Sequence, residues 1–415
     1  MNTGKPLHIC LVSEEYPPDT GWGGIGTYTY NVARGLALIG HRVEIVAGCL
    51  DAARDFTEHG IRVRRIGFAP PGSGLKRAAW RAFQAWTRDL RYFRRKLEFA
   101  RAALGLFRRV HAEDPFDVVE AAEYDANAYF IARRRLAPLV VKIHTPVLLN
   151  THLNALPVTR EVRWCDRLER SEARHATVLT TPSRRMAEHA EKWLRGRRPE
   201  VVANPIDTAE FSPAPEGQRA EYDFFYTGRL EKRKGVHLLL EAFRKVARDV
   251  PGTRLVLAGH DTPTFPLGGK ALHFMEFAEH QGLLEGLADR VVFLGRVDRR
   301  ELPHHYRRSR VCVFPSERFE NFPYSCLEAM ACGRAVIVSD SGGMTEMMED
   351  GRSGLKVPVG SVDALAGAML RLAASPAEAE AMGREARLRV ESRYTLERVA
   401  RETEAVYRKA VGRRP

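Results

Sequence analysis

From Leu7 to Asp340 short β-branched runs take turns with stretches of helical spacing. LHICLV (7–12), HRVEIVAG (41–48), FDVVEA (116–121), PLVVKIH (138–144) and TVLTT (177–181) come first. YDFFYTG (222–228), RLVLAG (254–259), RVVFLG (290–295), VCVFPS (311–316) and RAVIVSD (334–340) follow after a pause. Each run is almost continuously apolar, as a strand buried on both faces must be, and the intervals between them supply the helical crossovers that parallel pairing requires. The expected class is α/β, with two Rossmann-like, doubly wound parallel sheets.

The pause runs from Asn204 to Glu216. It is rich in proline and small polar residues and has no periodicity, which places the domain boundary there. A length of 415 residues leaves room for two large domains at roughly 150 residues or more each. The expected division is 1–205, joined by a C-terminal helix at about 396–415, and 206–395. Two such domains would face each other across a cleft. Open parallel sheets bind ligands beyond the carboxyl ends of their strands, so functional residues are sought just after each run.

Apolar residues make up 44% and charged residues 28%, so burial alone can fold the chain. The formal charge of +13 suits anionic partners: nucleoside diphosphates, acidic lipid or nucleic acid. No basic and aromatic module of a known kind supports the last of these, and no nucleic-acid partner is expected. The six cysteines are scattered without a C-x-x-C pair and read as reduced core thiols. The apolar stretch 7–12 is far shorter than a signal segment or a membrane span, so a cytoplasmic protein is expected, with at most peripheral contact at the inner face of a membrane.

After the run ending at Phe314 comes PSERFENFPYSCLEAMACG. Glu320 and Glu328 stand eight positions apart around a helix start near Tyr324. One carboxylate falls in the loop and one a turn into the helix, whose exposed amides favour phosphate or sugar oxygens. Glu328 is suited to accept from two vicinal ribose hydroxyls while Glu320 reaches a sugar. Two solvated glutamates near a helix end is the plainer alternative. The segment TGRLEKRKG (227–235) also follows a strand and precedes a helix. Arg229 offers a planar fork and Lys234 a point charge for a diphosphate; Lys232 and Arg233 read as surface residues.

This chain resembles the retaining glycosyltransferases of family four. The likeness is carried by the E-x7-E spacing of Glu320 and Glu328, by EAMACG after it, and by the glycine loop EYPPDTGWGGIG near the start. It extends over most of the chain and is strongest from Thr227 to Glu346. The resemblance implies the two-domain GT-B fold and a nucleotide-sugar donor, UDP- or GDP-linked, held mainly by the C-terminal domain. It also implies an acceptor bound on the N-terminal side and retention of anomeric configuration. Arg229 and Lys234 match the family's diphosphate pair, and His144 its active-site histidine, which contacts the transferred sugar. Where the family often has glycines around the phenylalanine, this chain has Asn321 and Pro323. Proline donates no amide hydrogen bond, so the donor's backbone contacts fall to Asn321, Phe322 or Tyr324.

GWGGIG (21–26) satisfies G-x-G-x-x-G but lies nine residues beyond Val12, too far for a dinucleotide fingerprint. Gly23 and Gly24 are read instead as letting the backbone approach donor phosphate or acceptor, with a helix beginning near Gly26. Arg296 and Val297 are assigned to the base through main-chain groups, and Gly342, Gly343 and Glu346 are further matches. No D-x-D is present, so no metal and no resident cofactor are expected, with Arg229, Lys234 and helix N-termini taking the leaving-group charge. A nucleotide-sugar epimerase, a phosphorylase of the same architecture, and a non-catalytic sugar-nucleotide binding protein are the alternatives.

Between Lys76 and Arg109 there are eleven Lys and Arg against two acids. Phe83, Trp86, Leu90, Phe93, Leu97, Ala100, Leu104 and Phe107 recur at three and four, which predicts one long amphipathic helix. Its stripe packs on the first domain. The functional alternative is that Trp80, Tyr92 and Phe99, off the stripe, meet anionic lipid together with the arginines.

Overall fold

The computed structural model describes residues 4–49, 52–67, 90–287 and 289–413. The chain falls into two compact units, Met1–Pro205 with Leu396–Pro415, and Ile206–Thr395.

In the first unit the strands are β1 (His8–Ser13), β2 (Arg42–Gly48), β3 (Arg54–Glu58), β4 (Ile61–Ile66), β5 (Val118–Ala122), β6 (Leu139–Lys142), β7 (Val178–Thr181) and β8 (Glu200–Val201). They lie in the order β3-β4-β2-β1-β5-β6-β7-β8. Every pairing is parallel except the β3–β4 hairpin. The central strands are buried along their whole length, which is why they read as apolar runs.

Helix α1 (Gly24–Leu38) follows β1, and α2 (Arg91–Glu113) precedes β5. The stripe residues Phe93, Ala100, Leu104 and Phe107 of α2 are buried as their spacing requires. For Phe99 the lipid-facing expectation does not hold. Phe99 is fully buried, Tyr92 turns its hydroxyl to Asp125, and Lys96 is buried between Glu14 and Asp125 at 2.7 and 2.6 Å. A helix whose buried arc also takes in Phe99 and Lys96 is wider on its inner side than a three-and-four stripe suggests. Residues 76–89, with Trp80, Phe83, Trp86 and Arg88, lie outside the described residues.

In the second unit β9 (Tyr222–Thr227), β10 (Leu255–Ala258), β13 (Val291–Phe293), β14 (Ser309–Phe314), β15 (Ala335–Ser339) and β16 (Gly354–Val357) form an all-parallel sheet in the order β13-β10-β9-β14-β15-β16. A small antiparallel ribbon, β11 (Phe265–Leu267) with β12 (Lys270–Leu272), stands apart from it. Helix α4 (Val236–Asp249), numbered after α3 (Arg160–His175) of the first unit, buries Leu239, Leu240, Phe243 and Val246 in one core with Phe224, Leu255 and Val311 of the sheet. Helix α5 (Tyr324–Ala331) carries Glu328.

Helix α6 (Pro376–Arg393) ends the second unit, and α7 (Leu396–Gly412) returns to the first. There the Tyr407 hydroxyl donates to Glu120 of β5 at 2.9 Å, and the Tyr28 hydroxyl of α1 takes the other carboxylate oxygen at 2.7 Å. Burial pushes the Glu120 carboxyl up, with Lys142 and the two hydroxyls opposing it. All six cysteines are buried and none forms a disulfide. Among the described residues no helix is long and apolar enough to cross a membrane.

Because a fully buried carboxylate that loses a donor is left short of its partners, Tyr407→Phe should destabilise the protein by about 1 to 3 kcal/mol. Urea unfolding followed by circular dichroism measures this, and an unchanged midpoint would show that the α7 contact with β5 is dispensable.

Candidate functional site

The loop after β9 is shaped by two glycines. Gly228 lets the chain leave the strand with a φ of 151°, and the Tyr226 hydroxyl then donates to the Arg229 carbonyl at 2.8 Å. Gly235 is left-handed (φ 69°) and opens α4; a Cβ there would lie 1.9 Å from the Pro315 carbonyl oxygen. Only glycine fits so close an approach. The turn is thus pressed against the loop after the neighbouring strand β14, and the Glu317 amide donates to the Arg233 carbonyl at 2.9 Å. Two loops from the carboxyl ends of adjacent strands are joined by backbone.

That junction assembles a string of charges. Arg229 Nη1 lies 2.6 Å from Glu231 Oε1, and Glu231 Oε2 accepts from Arg233 Nε at 3.0 Å. Arg233 Nη1 donates to Glu320 Oε1 at 2.8 Å, and Lys234 Nζ reaches the same oxygen at 2.8 Å. Arg229 is half exposed at one end; Glu231 and Glu320 are buried. Burial works to raise the Glu320 carboxyl, but Lys234 and Arg233 outweigh it and hold the group below the usual carboxylate range. Burial also lowers the Lys234 ammonium, with Glu320 opposing. Arg233 is not the surface residue that its place in a basic turn suggested. A run of four charges in five residues gives no sign of which one points inward.

Glu328 belongs to a second, separate cluster. Its Oε1 pairs with Arg299 Nη1 at 2.7 Å, and its Oε2 accepts from the Tyr306 hydroxyl at 3.0 Å. Arg299 also lies near Glu210, with its guanidinium over the Phe211 ring. Each oxygen of Glu328 therefore already accepts one hydrogen bond. A carboxylate offers about four acceptor positions, so these two bonds alone do not saturate it.

Between the two glutamates, Phe322 is buried against the Tyr394 ring, centroids 5.5 Å apart, which leaves its main chain as the part able to meet a ligand. Pro323 precedes α5, and Tyr324 is the helix's first residue. Asn321 and Tyr324 are half-buried, Arg296 is exposed, and Val297 is half-buried beyond β13. Glu320 is further fixed by the loop after β15. Its amide donates to the Ser341 carbonyl at 2.6 Å, its carbonyl accepts from Met344, and it bridges to Gly342, where a Cβ would stand 2.7 Å from that carbonyl. Gly343 is buried, and the Glu346 carbonyl accepts from Arg389 at 3.1 Å.

In the first unit His144 follows β6. Its amide donates to Glu123 Oε2 at 2.8 Å, and its ring meets the Tyr28 ring edge-on at 5.0 Å. Burial, helped by Lys142, lowers the imidazole to about 3, so it is neutral at physiological pH. Gly23 caps α1, and a Cβ on Gly24 would meet nothing within 4 Å. The start of this helix is turned onto an internal anion: the Gly26 amide donates to the Glu15 carboxylate. Burial and Asp125 raise that carboxyl. Glu14, Glu15, Lys96 and Asp125 had not been singled out, although Glu14 and Glu15 directly follow a strand and so carried the positional signal. Among the described residues no group of three or more His, Cys, Asp or Glu is placed to hold a metal ion.

Residues 23–206 match the glycosyl transferase 4-like domain family and residues 208–389 the family of glycosyl transferases group 1. A GDP-mannose-dependent alpha-(1-6)-phosphatidylinositol monomannoside mannosyltransferase of Mycobacterium tuberculosis is 30% identical over 297 residues, 66% of this chain and 71% of that protein. A glycogen synthase of the same species is 27% identical over 97% of this chain and 94% of its own. The catalytic domain of starch synthase IV from Arabidopsis thaliana, solved with ADP and acarbose bound, superposes with a TM-score of 0.72 at 18% identity, covering 99% of this chain and all of that one. With both of its units matched in turn and a mannosyltransferase of this kind among its relatives, the chain belongs to the group 1 glycosyl transferases and has their GT-B fold.

Proposed function

We propose that this protein moves a hexose-type sugar from a nucleotide-sugar to an acceptor hydroxyl, with retention of configuration and without a divalent ion. The observation that carries the reading is the string Arg229, Glu231, Arg233, Glu320, Lys234 beyond the carboxyl ends of β9 and β14. Three cations against two carboxylates leave positive charge for a diphosphate, and the half-exposed Arg229 is its accessible end. The GDP-mannose dependence of one relative supports a nucleotide-linked donor, which we take as UDP- or GDP-linked.

In this reading Arg229 and Lys234 take up the charge of the departing diphosphate. Glu320 holds the sugar, Glu328 the ribose, and the main chain at Asn321, Phe322 and Tyr324 completes the donor contacts. Arg296 and Val297 serve the base. His144, assigned to the sugar on the family resemblance, is suited as a neutral hydrogen-bonding group. Gly24 of the glycine loop is the more open of the two glycines there. Catalysis rests on positioning and preorganised charge. Contact of the protein with anionic lipid is part of the same proposal, now resting on the exposed Arg91, Arg108 and Arg109 of α2.

Arg229→Ala and Lys234→Ala should each lower transfer by about two to three powers of ten, the usual effect of removing a preorganised charge-stabilising group. Initial rates with UDP- and GDP-sugars test this, and near-normal rates in both variants would remove the leaving-group assignment. Glu328→Gln should weaken UDP or GDP binding by about 1.5 to 3 kcal/mol, since a hydrogen bond to a charged acceptor is lost. Calorimetry that finds the affinity unchanged takes Glu328 off the ribose. Transfer should persist in EDTA; complete loss, restored by magnesium or manganese, would overturn the metal-free mechanism.

A further inference from the structure

The two cations assigned to the diphosphate are each paired with a buried carboxylate, Arg229 with Glu231 and Lys234 with Glu320. A donor that draws both cations to its phosphates takes from both carboxylates a partner they now have. A buried carboxylate without a counter-ion is costly, or else takes up a proton. Arg233 contacts both of them, through Nε on one side and Nη1 on the other. We propose that Arg233 is a positioning residue that serves as the shared counter-ion of Glu231 and Glu320 while Arg229 and Lys234 move to the donor diphosphate.

This rests on the donor-site reading above. The geometry suits arginine and not lysine, because a planar fork spans two carboxylates at once, whereas an ammonium is a point charge. Arg233 is also fixed in its turn by backbone contacts. Its carbonyl is held by the Glu317 amide, and the left-handed Gly235 pressed on Pro315 fixes the turn two residues on. The charged and titratable groups around Glu320 are Arg229, Arg233, Lys234 and Tyr226. Glu317, next along the loop, is engaged with His237 at 2.7 Å. Of the three cations facing Glu320, Arg233 is the one not assigned to phosphate.

The test is calorimetric titration of UDP, GDP and ADP into wild type, Arg233→Ala and Arg233→Lys, between pH 6.5 and 8.5 and in buffers of different ionisation enthalpy. Thermal unfolding of each variant checks that it is folded. For whichever nucleotide wild type binds, Arg233→Ala should bind at least about tenfold more weakly at pH 8.5. It should also take up more protons on binding than wild type and regain affinity as the pH falls, because a carboxylate left without its counter-ion is protonated in the complex. Arg233→Lys should fall between the two. If either folded variant matches wild type in affinity and proton uptake, Arg233 is not the shared counter-ion and the donor-site reading stands. A wild type that binds none of the three nucleotides overturns both.

Discussion

A carboxylate buried beyond the carboxyl end of a parallel strand needs donors, and the two units provide them differently. Near His144 in the first unit the donors are backbone amides, whereas Glu14 after β1 is met by Lys96 and Arg95. Glu123 accepts from His144, and Glu169 of α3 accepts from Asp125 and Val147 at 3.2 and 2.8 Å. Amides do not offset the full penalty of burial. Glu123 is pushed up to about 7, and Glu169 lies well above the usual range, with Glu123 adding to its shift. In the second unit the donors are guanidinium and ammonium groups, and Glu320 is held ionised. Glu123 and Glu169 therefore fix the shape of loops, including the one that presents His144. The second unit keeps charge in the loop after β14.

This contrast is what makes the site in the second unit chemically pointed. In a string of alternating charges a cation can be offered to a phosphate when its carboxylate has another partner, as Glu231 and Glu320 have in Arg233. The backbone contact of Gly235 with Pro315 and the pairing of Glu320 with Gly342 hold three loops in fixed relation, so exchange of partners needs only side-chain movement. Preorganisation of this kind is the main resource of an enzyme that stabilises charge on a leaving group.

Ten of the parallel strands were legible because burial on both faces leaves mostly apolar residues to read, whereas β8 and β16, each with an exposed position, were not. Nor was the β3–β4 hairpin. In IRVRRI the inward positions are Ile61, Val63 and Arg65, and Arg65 is fully buried, donating to the carbonyls of Gly48, Tyr16 and Pro17. An arginine at an inward position breaks the alternation that would have marked a strand. Lys96 on α2 and Arg233 were missed for the same reason. Each is a cation that looks solvated until the carboxylates from distant parts of the chain, Glu14 and Asp125 in one case and Glu320 in the other, are brought to it. Sequence spacing carried Glu320 and Glu328, but not the fact that they sit in two different charge clusters with different partners.

The return of α7 to the first unit has a consequence for modularity. The second unit is an insertion within the first, entered at Ile206 and left at Thr395, and these two junctions are bridged, with the Ile206 amide on the Tyr394 carbonyl at 2.8 Å. An element with both of its ends fastened together can be exchanged as a cassette without altering the spacing of the host's ends. Recombination at this pair of positions would swap the charge string, Glu328 and the loops around them as one inherited block. Specificity on the two sides of such a protein can then diversify separately, while Tyr407 and Glu120 keep the host unit whole.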